Sequence, residues 1–284
     1  MTSFAKPALR QLLRRPAFSL TVIATLALAI GANSTIFSFV DAVLLKPLPY
    51  PDGDRLVQLR ERNVRQGKEG TALVAPVRLE EWNRGNQTLE GITGSYFENF
   101  TDTSGTLPSR VEGQRVAPRF FRVLGTAPLA GRTFTDAEEI DGGPAAVVIS
   151  YGFWQERFGG DLRAVGQTLR LNGGSFPVVG IMPASFRWPT AATQVWMPTR
   201  APASLLAVRE ARFYDAVARL RPGVTLARAQ ADLDRVQQQL ARDYPKSDEG
   251  WSTRVTELKE EQIGGVRRSL WILFGAVGFV LCIA

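Results

Sequence analysis

Ala17 to Val40 reads AFSLTVIATLALAIGANSTIFSFV, 24 consecutive residues without a charge. A helix rising 1.5 Å per residue would make this stretch roughly 36 Å long, enough to cross a hydrocarbon core of about 30 Å. Lys6, Arg10, Arg14 and Arg15 precede it with no acid among them, so the first 40 residues hold four of the seven net positive charges. The positive-inside rule then places the N-terminus in the cytoplasm. A cleavable signal peptide competes with this reading, because Ala27-Leu28-Ala29 resembles a cleavage site and Arg14-Arg15 is faintly twin-arginine. Signal-peptide apolar regions run about 7–15 residues. This one continues through Ile36-Phe37-Ser38-Phe39-Val40, which favours an uncleaved span.

The residues before the span are patterned as well. Ala5, Ala8, Leu9, Leu12 and Leu13 follow the i, i+3, i+4, i+7, i+8 spacing of one helix face, and Lys6, Arg10 and Arg14 form a stripe opposite. Residues 1–16 therefore read as an amphipathic helix on the cytoplasmic membrane surface. Its candidate contact residues are Lys6, Leu9, Arg10, Leu12, Leu13, Arg14 and Arg15. A topology signal with no other task explains the same charges equally well. At the other end, Ser269 to Ala284 is uncharged for 16 residues, short of the roughly 20 a span needs. It reads as a second transmembrane helix cut off by the end of the sequence, with a buried C-terminal helix as the alternative.

Composition narrows the chemistry. The 284 residues are 45% apolar and 21% charged, and 29 of the 34 cations are Arg. With no His there is no Ser-His-Asp or Cys-His pair and no HExxH zinc site. The lone Cys282 closes no intrachain disulfide and builds no thiolate zinc site. Gly67-Lys68 is followed by Glu69, so no Walker-type phosphate loop is present, and no GxSxG elbow occurs. Asp136, Glu138, Glu139 and Asp141 cluster before Gly142-Gly143, but their spacing fits no EF-hand, and a solvated acidic loop is expected instead of a calcium site. No basic patch interleaved with aromatics suggests nucleic acid.

Between the apolar ends lie about 220 residues of α/β texture. Arg55–Glu61 reads as a strand and Pro76–Arg84 as a short helix. Arg110–Arg115 is strand-like, and Pro118–Gly125 is a helical turn stopped by Gly. Ala145–Ser150 is a β-branched strand followed by a helix over Tyr151–Phe158. Asn172-Gly173 marks a hairpin between Thr168–Leu171 and Phe176–Ile181, and Val195–Pro198 reads as an edge-like strand. Phe213–Leu220 is a strand. Leu226, Ala229, Leu233, Val236 and Leu240 then step by 3, 4, 3, 4 along one helix face, and Thr253–Leu258 closes as a strand. Two strand–helix–strand units bracket a β-rich middle, without fixing which strands pair.

Ala8-Leu9-Arg10-Gln11-Leu12-Leu13-Arg14-Arg15-Pro16-Ala17-Phe18, then Thr25 to Ser34, then Leu44-Leu45-Lys46-Pro47-Leu48-Pro49-Tyr50-Pro51 form one ordered set. Val116–Phe121, Leu129–Phe134, Phe158–Asp161, Val165–Leu169 and Val178–Pro183 continue it. The set resembles the permeases of the FtsX/MacB-like ABC transporter superfamily, in particular the long permeases of duplicated organisation with a MacB-like periplasmic core domain. The resemblance implies an α+β membrane protein of the bacterial inner membrane. It implies a transmembrane helix over 17–45, a periplasmic core over 46–265 and the start of a second transmembrane helix over 266–284. The core would be a porter-like α/β subdomain, with halves at about 46–130 and 205–262, split by an inserted β-rich subdomain at about 131–204. ATP would be hydrolysed by a cytoplasmic ABC ATPase partner, no cofactor would be bound by this chain, and the chain would itself be no enzyme. Further implied partners are membrane lipids, a second or internally duplicated permease, and a periplasmic protein as an option; nucleic acid is not among them. The expected function is coupling of ATP hydrolysis to the periplasmic domain, in efflux or activation of a partner. The competing reading is a two-span receptor with an extracytoplasmic ligand-sensing domain, which would continue into a signalling module instead of further spans.

Overall fold

A computed structural model describes residues 16–41, 46–63 and 70–283. Two compact units emerge, one of residues 1–47 with 260–284, the other of Leu48–Lys259. In chain order the elements are α1 (Pro16–Val40), β1 (Leu56–Asn63), β2 (Thr71–Ala72), α2 (Pro76–Gly85), β3 (Leu89–Asp102), β4 (Ser109–Val116) and α3 (Phe120–Leu124). They continue as β5 (Ala130–Gly131), β6 (Val147–Ile149), α4 (Tyr151–Phe158), β7 (Thr168–Leu171), β8 (Gly174–Ile181), β9 (Val195–Pro198) and α5 (Ala203–Leu206). The last are β10 (Asp215–Leu220), α6 (Leu226–Asp243), α7 (Pro245–Asp248), β11 (Trp251–Glu257) and α8 (Leu258–Ile283).

Hydroxyls within α1 are satisfied locally. Thr21, Thr25, Thr35 and Ser38 each donate to the carbonyl four residues back, at 2.8–2.9 Å. Back-bonding of this kind satisfies the hydroxyls inside the helix itself. Leu20, Ile23, Leu28, Ile30 and Phe37 are all more than half exposed along it, as are Ile272 and Phe279 in α8. Among the described residues no helix is long and apolar enough to cross a membrane. Several positions inside α1, and much of the apolar end of α8, lie outside the described side chains.

In the larger unit the strands of both sequence halves interleave. The order β11-β1-β10-β3 places β10 antiparallel between β1 and β3, and β11 antiparallel on the far side of β1. That is a split βαβ arrangement, in which β1-α2-β3 and β10-α6-β11 each supply two strands to one sheet. The α6 stripe explains the closure. Ala229, Leu233, Val236 and Leu240 pack on Val57, Leu59, Ala216 and Ala218 from the alternate positions of β1 and β10, together with Leu79 and Trp82 of α2. Gln237 is buried beside them. The two helices meet closely at Gly85, where a Cβ would lie 2.8 Å from Val236. The opposite face, with Leu56 and Val217, is covered by Tyr50, Phe120, Phe121, Phe186, Trp188 and Trp196.

β3 is the strand that sequence patterning passes over. Its first half pairs with β10 and its second half, Ser95–Asp102, pairs with β4. Through β4 the sheet runs on as β9-β6-β8-β5. Strand pairing thus passes into the β-rich part inside β3, well before residue 131. Val195–Pro198 departs from its expected place. It is a central strand, parallel to β4 and antiparallel to β6, and buried throughout, so it is not edge-like. Its proline is the last residue, where the missing N–H costs no interior ladder bond. The Asn172-Gly173 hairpin is as read, with both residues at positive φ (49° and 78°), as a type I′ turn requires.

Candidate functional site

β1 runs away from the point where the chain enters this unit, and β11 runs back to the point where it leaves. Val57 lies opposite Glu257 at one end of the ladder and Asn63 opposite Trp251 at the other. The two ends are about 20 Å apart at 3.4 Å per residue. They are called here the root and the far end.

At the root, Arg219 reaches out of the sheet beneath the entering chain. Its Nε donates to the Val123 carbonyl at 2.8 Å, and one terminal nitrogen donates to Pro51 and Asp52 carbonyls at 2.9 and 3.2 Å. Burial, then the neighbouring Arg55, lower its pKa, but a guanidinium remains charged. Arg55 donates to the Leu220 carbonyl and pairs with Asp52 and Glu90. Tyr50 lies edge-on to Phe186 and Trp188 at 5.9 and 6.1 Å, and its burial pushes the phenol well above its ordinary range. The entering segment is therefore bolted to β10 and to the aromatic layer. The exit is direct, because α8 begins at Leu258, the residue after β11 ends, and Leu258 is buried.

The far end holds a buried charge network. Arg78 at the start of α2 and Asp248 in α7 are both fully buried and form an ion pair. Arg78 also donates to Glu81 at 2.6 Å, and Arg209 grips Glu81 with two nitrogens at 2.7 and 3.0 Å and Asp248 at 2.9 Å. Ser247 and Gln237 donate to Asp248, and Trp82 donates to Gln237. Arg212 pairs with the buried Glu61 at 2.8 Å, and Glu61 accepts the Ala75 N–H. The guanidinium groups of Arg209 and Arg212 stack 3.6 Å over Tyr244 and Trp251. Burial lowers the Arg78 pKa, and the charges of Glu61 and Glu81 oppose that shift. Three cations face three anions, so every buried charge is compensated. The network ties α2, α6 and α7 to the segment that returns from β9 to β10.

Beside it opens a cavity of about 670 Å³, lined by Arg62, Gln230, Asp234, Gln237, Gln238, Trp251, Ser252, Thr253 and Arg254. Gln230 and Asp234 also close the free edge of β11. Gln230 donates to the Thr253 carbonyl at 3.1 Å and accepts the Val255 N–H at 2.8 Å, while Asp234 accepts the Thr253 hydroxyl at 2.7 Å. An edge strand so occupied offers no template for another chain.

The sequence-predicted contact residues Lys6, Leu9, Arg10, Leu12, Leu13, Arg14 and Arg15 lie outside the described residues. The acidic loop departs from its expectation. Asp136 and Asp141 are exposed, but Glu138 is buried in an ion pair with Arg132 at 2.7 Å, and Glu139 accepts the Arg119 N–H at 3.2 Å. The Arg132 hydrogen bond, helped by Thr135, holds Glu138 below the ordinary carboxylate range, whereas burial pushes Glu139 up. Among the described residues no group of acids, His or Cys is placed to hold a metal. The far-end network was not visible in the sequence. Only the i, i+3 spacing of Arg78 and Glu81 hinted at it.

The sequence pattern of the MacB-like periplasmic core domain matches residues 19–236. The chain belongs to that family. Two solved structures share the fold. One is a domain of a protein described as a permease from Porphyromonas gingivalis, with 19% identity, a TM-score of 0.55, and 74% of this chain and 92% of that one covered. The other is the periplasmic region of MacB from Actinobacillus actinomycetemcomitans, with 12% identity, a TM-score of 0.54, and 79% and 97% covered. Comparison with curated proteins gives no match. The residues that carried the resemblance are mostly structural. Phe120 and Phe121 pack in the aromatic layer, and Gly131 at φ 74° lies against the Val179 carbonyl.

Proposed function

We propose that the chain is a permease subunit of an ABC transporter of the mechanotransmitting, efflux type. In this reading α1 and the apolar part of α8 span the inner membrane, and the N-terminus is cytoplasmic. The unit Leu48–Lys259 is periplasmic, with porter-like halves at about 46–130 and 205–262 around a β-rich insert. A partner ATPase works from the cytoplasm, and residues 1–16, through Lys6, Arg10 and Arg14, lie against the headgroups near it. The observation that carries the reading is the β1–β11 ladder. The strand that receives the chain after α1 and the strand that hands it without a loop to α8 are hydrogen-bonded neighbours over seven register pairs. Displacement of either helix would load one rigid ladder leading to the far end. The uncharged 24-residue run, the hydroxyls satisfied inside α1 and its exposed Leu, Ile and Phe side chains support the membrane assignment.

The test uses the permease in its native membrane. Capture of the full chain in mild detergent should bring down a Walker-A ATPase. Three residues (Gly-Gly-Ser) inserted between Glu257 and Leu258 should then abolish coupled transport while leaving capture of the ATPase intact. Absence of an ATPase, or wild-type transport by the insertion variant, would overturn the proposal. Reporter fusions after Arg15 and at the exposed Gly105 check orientation. A periplasmic reporter active only at Gly105 is expected, and one active only at Arg15 would reverse the topology.

A further inference from the structure

Of the groups lining the far-end cavity, four, Asp234, Gln230, Gln237 and Thr253, are already engaged. Asp234 accepts from Thr253 and Gln230, Gln230 also bonds Thr253 and Val255, and Gln237 joins Trp82 to Asp248. The side chains that make no hydrogen bond or ion pair among the described residues are Arg62, Arg254, Ser252, Gln238 and the Trp251 indole N–H. Arg62 Nε and Ser252 Oγ are buried and still lack a partner. Donors dominate what is left, and two of them are cations. A ligand that completes this set must bring acceptors and negative charge.

The strand register sharpens the point. Arg62 lies opposite Ser252, and Arg60 lies opposite Arg254. Like charges directly across a ladder repel. Arg60 is neutralised by Asp215 at 2.7 Å. Arg62 and Arg254, diagonal neighbours on the same sheet face, have no such acid among the described residues. A cavity of about 670 Å³ falls in the range of small-molecule sites, roughly 300–1,000 Å³.

We propose that this cavity is an oxyanion site, in which Arg62 and Arg254 pair with a carboxylate or phosphate group and Ser252, on the same sheet face, donates to it. The inference is independent of the transporter reading, since it rests only on the far end of the periplasmic unit. Two sources present this chemistry, a free small anion and an acidic side chain of a partner polypeptide. Calorimetric titration of the full chain in an uncharged detergent at low salt separates them, with citrate, inorganic phosphate and a hexaglutamate peptide as probes. Binding of one probe per chain and a raised thermal midpoint are expected. Arg254→Gln should weaken it by about tenfold, the loss of one charge-assisted contact, and Arg62→Gln with Arg254→Gln should abolish it. Arg170→Gln with Arg187→Gln, on exposed residues outside the cavity, should change nothing. Tighter binding of the peptide assigns the site to a partner, and tighter binding of citrate or phosphate assigns it to a free anion. Failure of all three probes to bind, or equal weakening by the control pair, would overturn the proposal. Because Arg254 is exposed, the single variant keeps the test readable if the double variant misfolds.

Discussion

The root and the far end of the β1–β11 ladder are both rich in arginine, yet they use it oppositely. At the root, Arg219 and Arg55 donate to backbone carbonyls of Pro51, Asp52, Val123 and Leu220, and only Arg55 also pairs with acids, Asp52 and Glu90. At the far end, Arg78, Arg209 and Arg212 are matched to Glu81, Asp248 and Glu61. Carbonyl contacts fix the path of a chain segment, whereas charge-to-charge contacts fix whole elements against one another. Under the proposed function, the difference would suit a module gripped at one end and moved as a body at the other.

The largest expected effect comes from breaking the far-end balance. Asp248→Ala leaves Arg78 and Arg209 facing one carboxylate in a buried site and should cost about 3–5 kcal/mol, measured by denaturant unfolding of the full chain in detergent. A loss under 1 kcal/mol would mean that water reaches the network. At the root, Arg219→Met leaves the Val123 and Pro51 carbonyls without their donor and should cost about 1–3 kcal/mol. It should also raise proteolysis near Pro51 and leave cleavage around α7 unchanged. Equal protection at both ends would erase the distinction drawn between them.

The two neighbouring acids give a third contrast, in pH. Glu138 has its folded pKa held down from the usual 4.5 by Arg132, so its stabilisation is complete above that value and lost as pH falls below it. Glu139 has its folded pKa raised by burial, so its contribution declines as pH rises through 4.5 toward that raised value. Glu138→Gln should therefore flatten the stability profile below about pH 4.5, and Glu139→Gln should steepen it just above that value. Identical profiles would contradict both assignments. The smallest effect is expected for Arg122→Ala. It breaks an ion pair with Asp136 in which both partners are largely exposed, and should shift stability by less than about 0.5 kcal/mol.

What could be read from the sequence was local. The α6 stripe, the Asn172-Gly173 turn and the helix closed by Gly125 depend on neighbours within a few residues, and each is where its pattern puts it. β3 escaped because its role forbids the usual signal. Gly94 must be small, since a Cβ there would lie 2.9 Å from Tyr214, and Glu98 points to Arg115 at 2.6 Å instead of alternating with apolar residues. Val195–Pro198 looked peripheral because prolines surround it, but nothing local reveals that β4 and β6 flank it. The far-end network is the extreme case, since Arg78 and Asp248 are 170 residues apart. No spacing rule joins such a pair. Only the interleaving of the two strand–helix–strand units brings α2 and α7 to the same end of the sheet.

The proposed function requires that the β1–β11 ladder move as one body between root and far end. Hydrogen exchange of the permease assembled with its ATPase, compared with and without a non-hydrolysable ATP analogue, tests it most directly. The account predicts that amides of residues 56–63 and 251–257 change protection together along the whole ladder. Altered protection confined to Leu56–Gln58 and Thr256–Glu257, with Glu61–Asn63 and Trp251–Thr253 unchanged, would contradict it.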